Sequence, residues 1–146
     1  VAKLIEVSNP DGFSDMLRKM EGALGESAIR KAGAAAATVV LKEAQRRVPI
    51  GPGAHHQGSE QFPVGHGRDS LLVTFLPEKS VNGRQATYAV TWSASAYYLR
   101  FVEYGTSKMA AQPFFRPSID ATRLAQYYAV AQELDKAIAE AKIGER

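Results

Sequence analysis

Between residues 28 and 48 the chain runs through seven alanines with lysine and arginine interspersed, and Pro49 follows at once. Alanine gives up no side-chain entropy on becoming helical and the long basic residues give up little, so the stretch is a strong helix former. Proline cannot continue it. The spacing predicts a helix over 28–48, capped by Ser27, of about 30 Å at about 1.5 Å per residue. Ile29, Ala32, Ala36, Val39, Val40 and Ala44 share one face, while Arg30, Lys31, Lys42, Glu43, Arg46 and Arg47 lie mostly off it. A buried face of small residues lets a helix approach a sheet closely, so the fold must be organised around this rod.

The segments on either side supply the partners. Phe13, Met16, Leu17, Met20 and Leu24 recur at three- and four-residue spacing behind Asn9, Pro10 and Asp11, which predicts a short first helix over 9–24 closed by Gly25. Beyond Pro49, residues 49–67 hold five glycines, three prolines and all three histidines, and read as a long flexible loop. Residues 69–76 are strand-like. Asn82-Gly83 marks a hairpin connection, and Ala86, Tyr88, Val90 and Trp92 alternate with Thr87, Ala89, Thr91 and Ser93 as a strand with an aromatic inner face. Residues 97–103 are a strand or a helical turn, 107–117 a second loop, and 118–142 a terminal amphipathic helix with Ile119, Leu124, Tyr127, Tyr128, Ala131, Leu134 and Ile138 on its apolar side. The expected architecture is one α+β domain over residues 1–146: N-terminal helices including the long Ala-rich one, a small antiparallel sheet and a C-terminal amphipathic helix.

Several kinds of chemistry are excluded or disfavoured. Without cysteine there is no disulfide, thiolate nucleophile or Cys-ligated metal. The formal charge is +3, with eight basic and six acidic residues up to residue 48 and ten and nine beyond, so there is no polybasic arm. The longest apolar runs fall far short of the roughly 20 residues that cross a bilayer. No signal-like segment opens the sequence, which reads as a cytoplasmic product; since it begins with Val1, an initiator methionine is expected to have been removed or to lie outside it.

His55, His56, Glu60 and His66 form the one group with metal-ligand chemistry, but adjacent histidines among glycines do not make a rigid helical pair, and a surface loop is the expectation. Gly65-His66-Gly67-Arg68 has spaced glycines but no expected helix after it. Glu103 and Asp120 flank the second loop as a rim charge and a helix-start charge rather than a catalytic pair. Arg46, Arg47 and Arg68 flank the first loop, with Arg84, Arg100, Arg116 and Arg123 dispersed, too scattered for a sequence reader. A metal-dependent hydrolase or a nucleic-acid-binding module, using the His-rich loop and the scattered arginines, is the alternative reading of function.

Residues 97–121 read Tyr-Tyr-Leu-Arg-Phe-Val-Glu-Tyr-Gly-Thr-Ser-Lys-Met-Ala-Ala-Gln-Pro-Phe-Phe-Arg-Pro-Ser-Ile-Asp-Ala. This stretch resembles the signature of the gene-product-ten-like tail-component family of siphophages: Val-Glu-Tyr/Phe-Gly-Thr-Ser-Lys-Met, then Gln-Pro-Phe-x-Arg-Pro before a terminal helix. Arg46-Arg47-Val48-Pro49 and Gly67-Arg68-Asp69-Ser70-Leu71 match further family features, and the resemblance spans about residues 13–140. The link after Pro49 departs from the pattern, being enlarged by residues 55–65.

The resemblance implies a non-enzymatic virion protein of the tail end or neck, assembled in the host cytoplasm. It implies a tail terminator, tail completion or head–tail joining subunit that closes into a homo-oligomeric ring, six-membered by analogy. Partners would be the tail tube and the head-completion or connector proteins, with DNA passing without being read, and neither membrane, cofactor, metal nor small-molecule substrate involved. The motif residues Glu103, Tyr104, Gly105, Thr106, Lys108, Met109, Gln112, Pro113, Phe114, Phe115, Arg116 and Pro117 would form the assembly interface. Gly105 would allow a sharp turn, one of Phe114 and Phe115 would enter the core while the other faces a partner or the terminal helix, and Arg116 would pair with Glu103 of the same or the next subunit.

Overall fold

The computed structural model describes residues 15, 18, 21–22, 25–50 and 64–143. The first helix expected over 9–24 lies largely outside the described residues; Asp15, Arg18, Glu21 and Gly22 are helical and exposed. In chain order the elements are α1 (Glu26–Arg47), the single turn α2 (His66–Asp69), β1 (Leu71–Phe75), β2 (Tyr88–Trp92), α3 (Leu99–Tyr104), α4 (Phe115–Ala121) and α5 (Arg123–Ile143). The fold is α+β.

Helix α1 is the rod that the alanine content dictates. Its N-cap is Gly25 rather than Ser27: the Gly25 carbonyl accepts from the N–H groups of Ala28 and Ile29 at 3.0 and 3.2 Å, and Ser27 sits exposed in the first turn. At the other end the chain leaves the helix at Val48, before Pro49, with the Val48 N–H on the Ala44 carbonyl at 2.8 Å. Ala28, Ala32, Ala37, Val40 and Ala44 are buried, whereas Ile29, Ala36 and Val39 are only half-covered. Burial is spread around the helix because α5 packs on it as well as the two strands. Glycine is needed at one point: a Cβ on Gly33 would lie 2.8 Å from the Tyr88 ring, which is itself anchored by its hydroxyl donating to the Arg30 carbonyl at 3.0 Å.

Strands β1 and β2 form an antiparallel hairpin in which Leu71 faces Trp92, Val73 faces Val90 and Phe75 faces Tyr88. Its connection contains a 3-10 turn at Pro77–Lys79 and a tip in which Val81 and Gln85 exchange hydrogen bonds of 2.8 Å around Gly83 at φ 72°. The Ser80 hydroxyl ties the base, donating to the Leu76 carbonyl at 2.6 Å and accepting from the Thr87 N–H at 2.9 Å. The strand expected from residue 69 starts at Leu71, because Gly65 at φ 86° opens a helical turn where no helix was expected.

The segment over 97–103, open between strand and helix, is helical as α3. The second loop ends earlier than residue 117, since Phe115 already begins α4. Pro117 is tolerated there because the first N–H groups of a helix have no partner within it. The single terminal helix expected over 118–142 is two helices, broken at Thr122 with φ −107° and ψ 8°. The break redirects the chain, so the expected apolar side of the terminal helix is not uniformly covered: Ala131, Leu134 and Ile138 are half-buried, but Ile119, Leu124, Tyr127 and Tyr128 are exposed. The main core gathers at the C-terminal end of α1, where Ala44, Val48, Leu71, Ala96, Leu99 and Phe114 meet Trp92, Tyr98, Val102 and Phe115.

Helix α1 can be tested in two ways. Replacing Gly33 with valine drives methyl groups into the anchored Tyr88 ring, and overpacking of this kind costs about 1–3 kcal/mol, which a thermal melt reads as a fall of roughly 3–9 °C. Arg46 and Arg47 hydrogen-bond the Glu43 carboxylate and lower its pKa from 4.5 to about 2. A lowered acid stabilises the fold fully above its unfolded value and loses that contribution as pH falls through the folded one. Urea melts should therefore find the chain more stable than Glu43→Gln above about pH 4.5 and the two converging as pH approaches about 2.

Candidate assembly surface

Helix α3 turns one face inward and one outward. Leu99 and Glu103, four residues apart, are buried; Tyr97, Phe101 and Tyr104, at i, i+4 and i+7, are exposed, Tyr104 by 69%. The inward carboxylate is the organising group. One Glu103 oxygen accepts from the backbone N–H groups of Phe114 and Phe115 at 2.7 and 3.1 Å, and the other accepts from the Arg116 N–H at 3.3 Å. These are the unsatisfied donors at the start of α4, and no side chain local to α4 caps them. A buried carboxylate is costly unless hydrogen-bonded, and bonds to a charged acceptor contribute about 1.5–3 kcal/mol each. Glu103 thus joins the end of α3 to the start of α4 across eleven residues of sequence.

The intervening chain is folded back on itself. Gly105 lies at φ 75°, and a Cβ there would stand 2.7 Å from the Ala111 nitrogen and 3.0 Å from the Met109 carbonyl oxygen, so no other residue fits without moving backbone. Thr106 and Met109 exchange backbone hydrogen bonds of 2.8 and 3.3 Å, and the Thr106 hydroxyl accepts from the Lys108 and Met109 N–H groups. The Gln112 N–H then returns to the Val102 carbonyl at 2.8 Å. On the far side a hydroxyl ladder continues: Ser118 donates to the Phe114 carbonyl, Thr122 donates to the Ser118 carbonyl at 2.6 Å, and Gln126 reaches the Thr122 hydroxyl at 3.0 Å.

The twelve motif residues divide accordingly. Glu103 and Phe114 are buried; Gly105, Phe115 and Pro117 are half-buried; Tyr104, Thr106, Lys108, Met109, Gln112, Pro113 and Arg116 are exposed. Both phenylalanines pack inward. Phe114 is wholly covered, and the Phe115 ring lies 4.8 Å from it and 5.4 Å from Trp92. It is the backbone of Arg116, rather than its guanidinium, that meets Glu103. Sequence reasoning missed the Ser118–Thr122 ladder, although its four-residue spacing from Phe114 was visible. It also placed Leu124, Tyr127 and Tyr128 on the apolar side of the terminal helix, whereas they are exposed.

The alternative chemistry rests on the histidines and the scattered arginines. His55, His56 and Glu60 lie outside the described residues. The ring of His66 contacts the Tyr98 hydroxyl at 2.9 Å through Nδ1, and the Ser70 and Ser95 hydroxyls at 3.3 and 3.2 Å through Nε2. Burial raises the pKa of Tyr98. Among the described residues no group of three or more His, Cys, Asp or Glu is placed to hold a metal ion, and no helix is long and apolar enough to cross a membrane. Arg46 and Arg47 are held by Glu43, Arg68 by Asp69 and Arg123 by Asp120. A cavity of about 10 Å³ between the start of α1 and the hairpin tip has room for about one water.

Comparison with known proteins gives one family. A family model described as "Bacteriophage HK97-gp10, putative tail-component" matches residues 11–105, about two thirds of the chain. The match takes in α1, the hairpin and α3 with Glu103, Tyr104 and Gly105; Thr106 to Pro117 lie beyond it. No curated protein and no solved structure matches the chain.

Removing the Glu103 carboxylate strands three backbone donors. Glu103→Ala is expected to destabilise the fold by about 3 kcal/mol, and Glu103→Gln by less because the amide oxygen still accepts. Urea denaturation of the two variants against the parent checks both the size and the order.

Proposed function

The chain belongs to the HK97-gp10-like family of bacteriophage tail components, and on that basis we propose that it is a ring-forming tail completion, tail terminator or head–tail joining subunit. Family membership by itself gives a structural protein of a phage. The ring, its six-fold expectation, and contacts with tail tube and head-completion proteins belong to the proposal. So does the passage of DNA through a lumen.

One observation carries it: aromatic side chains are displayed outward on a backbone that is already fixed. Tyr97, Tyr104, Tyr127 and Tyr128, four of the six tyrosines, are exposed together with Phe101, Met109 and Leu124. Tyrosine and methionine are enriched where protein surfaces meet, and large apolar area left in water usually marks a contact site. Loop 106–113 is exposed throughout but pinned by Glu103, Gly105 and the Thr106–Met109 bridge. Little entropy is then lost when it docks. In this reading Tyr104, Thr106, Lys108, Met109, Gln112, Pro113 and Arg116 touch neighbouring subunits or tail proteins, and Glu103, Gly105, Phe114, Phe115 and Pro117 hold them in place.

Light scattering on the purified chain should give a closed oligomer of one mass, and addition to phage heads and tails lacking this component should restore joining. The double variant Tyr104→Ala, Lys108→Glu should melt within about 2 °C of the parent, since surface changes cost little, yet join heads to tails at least about tenfold less well. A monomer at every concentration that neither joins nor binds tails would refute the proposal.

A further inference from the structure

Among the described residues the hairpin is a two-stranded sheet with two open edges. Its ladder is fixed by the Ser93 N–H on the Ser70 carbonyl at one end and the Leu76 N–H on the Thr87 carbonyl at the other, both 2.9 Å. Hydrogen-bonded and non-bonded pairs alternate along an antiparallel ladder. Leu72–Thr91 and Thr74–Ala89 are therefore the bonded pairs, and the N–H and C=O groups of Leu71, Val73 and Phe75 on β1, and of Tyr88, Val90 and Trp92 on β2, point away from the hairpin. Among the described residues none of these outward backbone groups has a hydrogen-bond partner.

Proteins that leave a sheet edge open normally guard it with a charge, a proline or a bulge. Neither strand here has one: Leu-Leu-Val-Thr-Phe and Tyr-Ala-Val-Thr-Trp contain no charged residue, no proline and no glycine. Two strands alone are also fewer than an independently stable sheet usually needs. We propose that β2 of one copy of this chain pairs with β1 of the next, so that the hairpins join into a continuous antiparallel sheet running around the ring. The inference rests on the ring-forming reading and names its subunit interface.

Geometry favours a second copy as the occupant. The strands are antiparallel and both five residues long, so β2 against a neighbour's β1 repeats the direction and length of the pairing already present in the hairpin. A two-fold contact of β1 on β1 would leave both β2 edges open. The β2-on-β1 contact is heterologous, and a closed ring of such contacts leaves no edge at all.

The absence of cysteine makes the test clean. Chains carrying Leu72→Cys or Thr74→Cys are mixed, under mild oxidation, with chains carrying Ala89→Cys or Thr91→Cys. Each chain then has one thiol, so the hairpin cannot cross-link itself. Neighbouring strands lie about 4.8 Å apart, within the Cα separation that a disulfide spans. At least one of the four mixtures should give a cross-linked pair about tenfold above either component alone, in an oligomer of unchanged mass by light scattering. A closed oligomer with no mixed cross-link in any of the four, or with only self-links, overturns the edge pairing and leaves the ring standing. A cross-link-free monomer at all concentrations overturns both.

Discussion

The carboxylate of Glu103 is the point on which the second half of this molecule depends. Buried at the end of α3, it supplies the acceptors that the first three N–H groups of the α4 region lack, and so closes an excursion of the chain that has no regular structure of its own. Everything near it depends on that closure. Gly105, at φ 75°, must be glycine because the returning loop passes where a Cβ would stand, and Phe114, its N–H held by Glu103, is wholly buried in the core. A charge buried this way is stable only with its hydrogen bonds intact. Motif residues that look from sequence like contact residues are in part the frame that holds the exposed ones in place.

The first half of the chain supplies the platform. An Ala-rich helix of 22 residues accepts the hairpin on one side and α5 on the other because its side chains are small, with Gly33 giving way to the Tyr88 ring. So slender a helix leaves a modest core. Its large buried groups collect at one end of α1, where Leu99, Phe114 and Leu71 meet Val48. That is also the end where the Glu103 closure sits. Stability and surface display are therefore coupled at α3: Phe101 and Tyr104 stand on the helix whose Leu99 and Val102 pack in the core.

Much of this was legible in the residues. Alanine content and Pro49 located α1 to within two residues, strict alternation found β2, and Asn82-Gly83 found the hairpin tip. The resemblance carried by residues 97–121 led to the family that residues 11–105 match. What escaped was tertiary. Nothing local says that Glu103 will cap a helix eleven residues away, and its position in α3, four residues after Leu99, gave only a hint that it faces inward. Thr122 breaks the terminal helix where continuous periodicity suggested none, and Leu124, Tyr127 and Tyr128, placed on its apolar side, are exposed. The helical turn at His66 was hidden for a similar reason: its glycines read as loop, while Gly65 in fact provides the turn that starts it.

In the proposed reading the chain acts by contact with its neighbours. It requires a surface whose shape exists before the partner arrives, so that docking does not have to order the loop. The free subunit must then already hold this order. Native-state hydrogen exchange at the Phe114 and Phe115 amides addresses it most directly. Protection approaching that of the slowest amides of α1, lost when Glu103 is replaced by alanine, is the predicted result. Exchange of both amides at rates of an unstructured loop in the parent chain would contradict it, and would mean that the motif becomes ordered only on assembly.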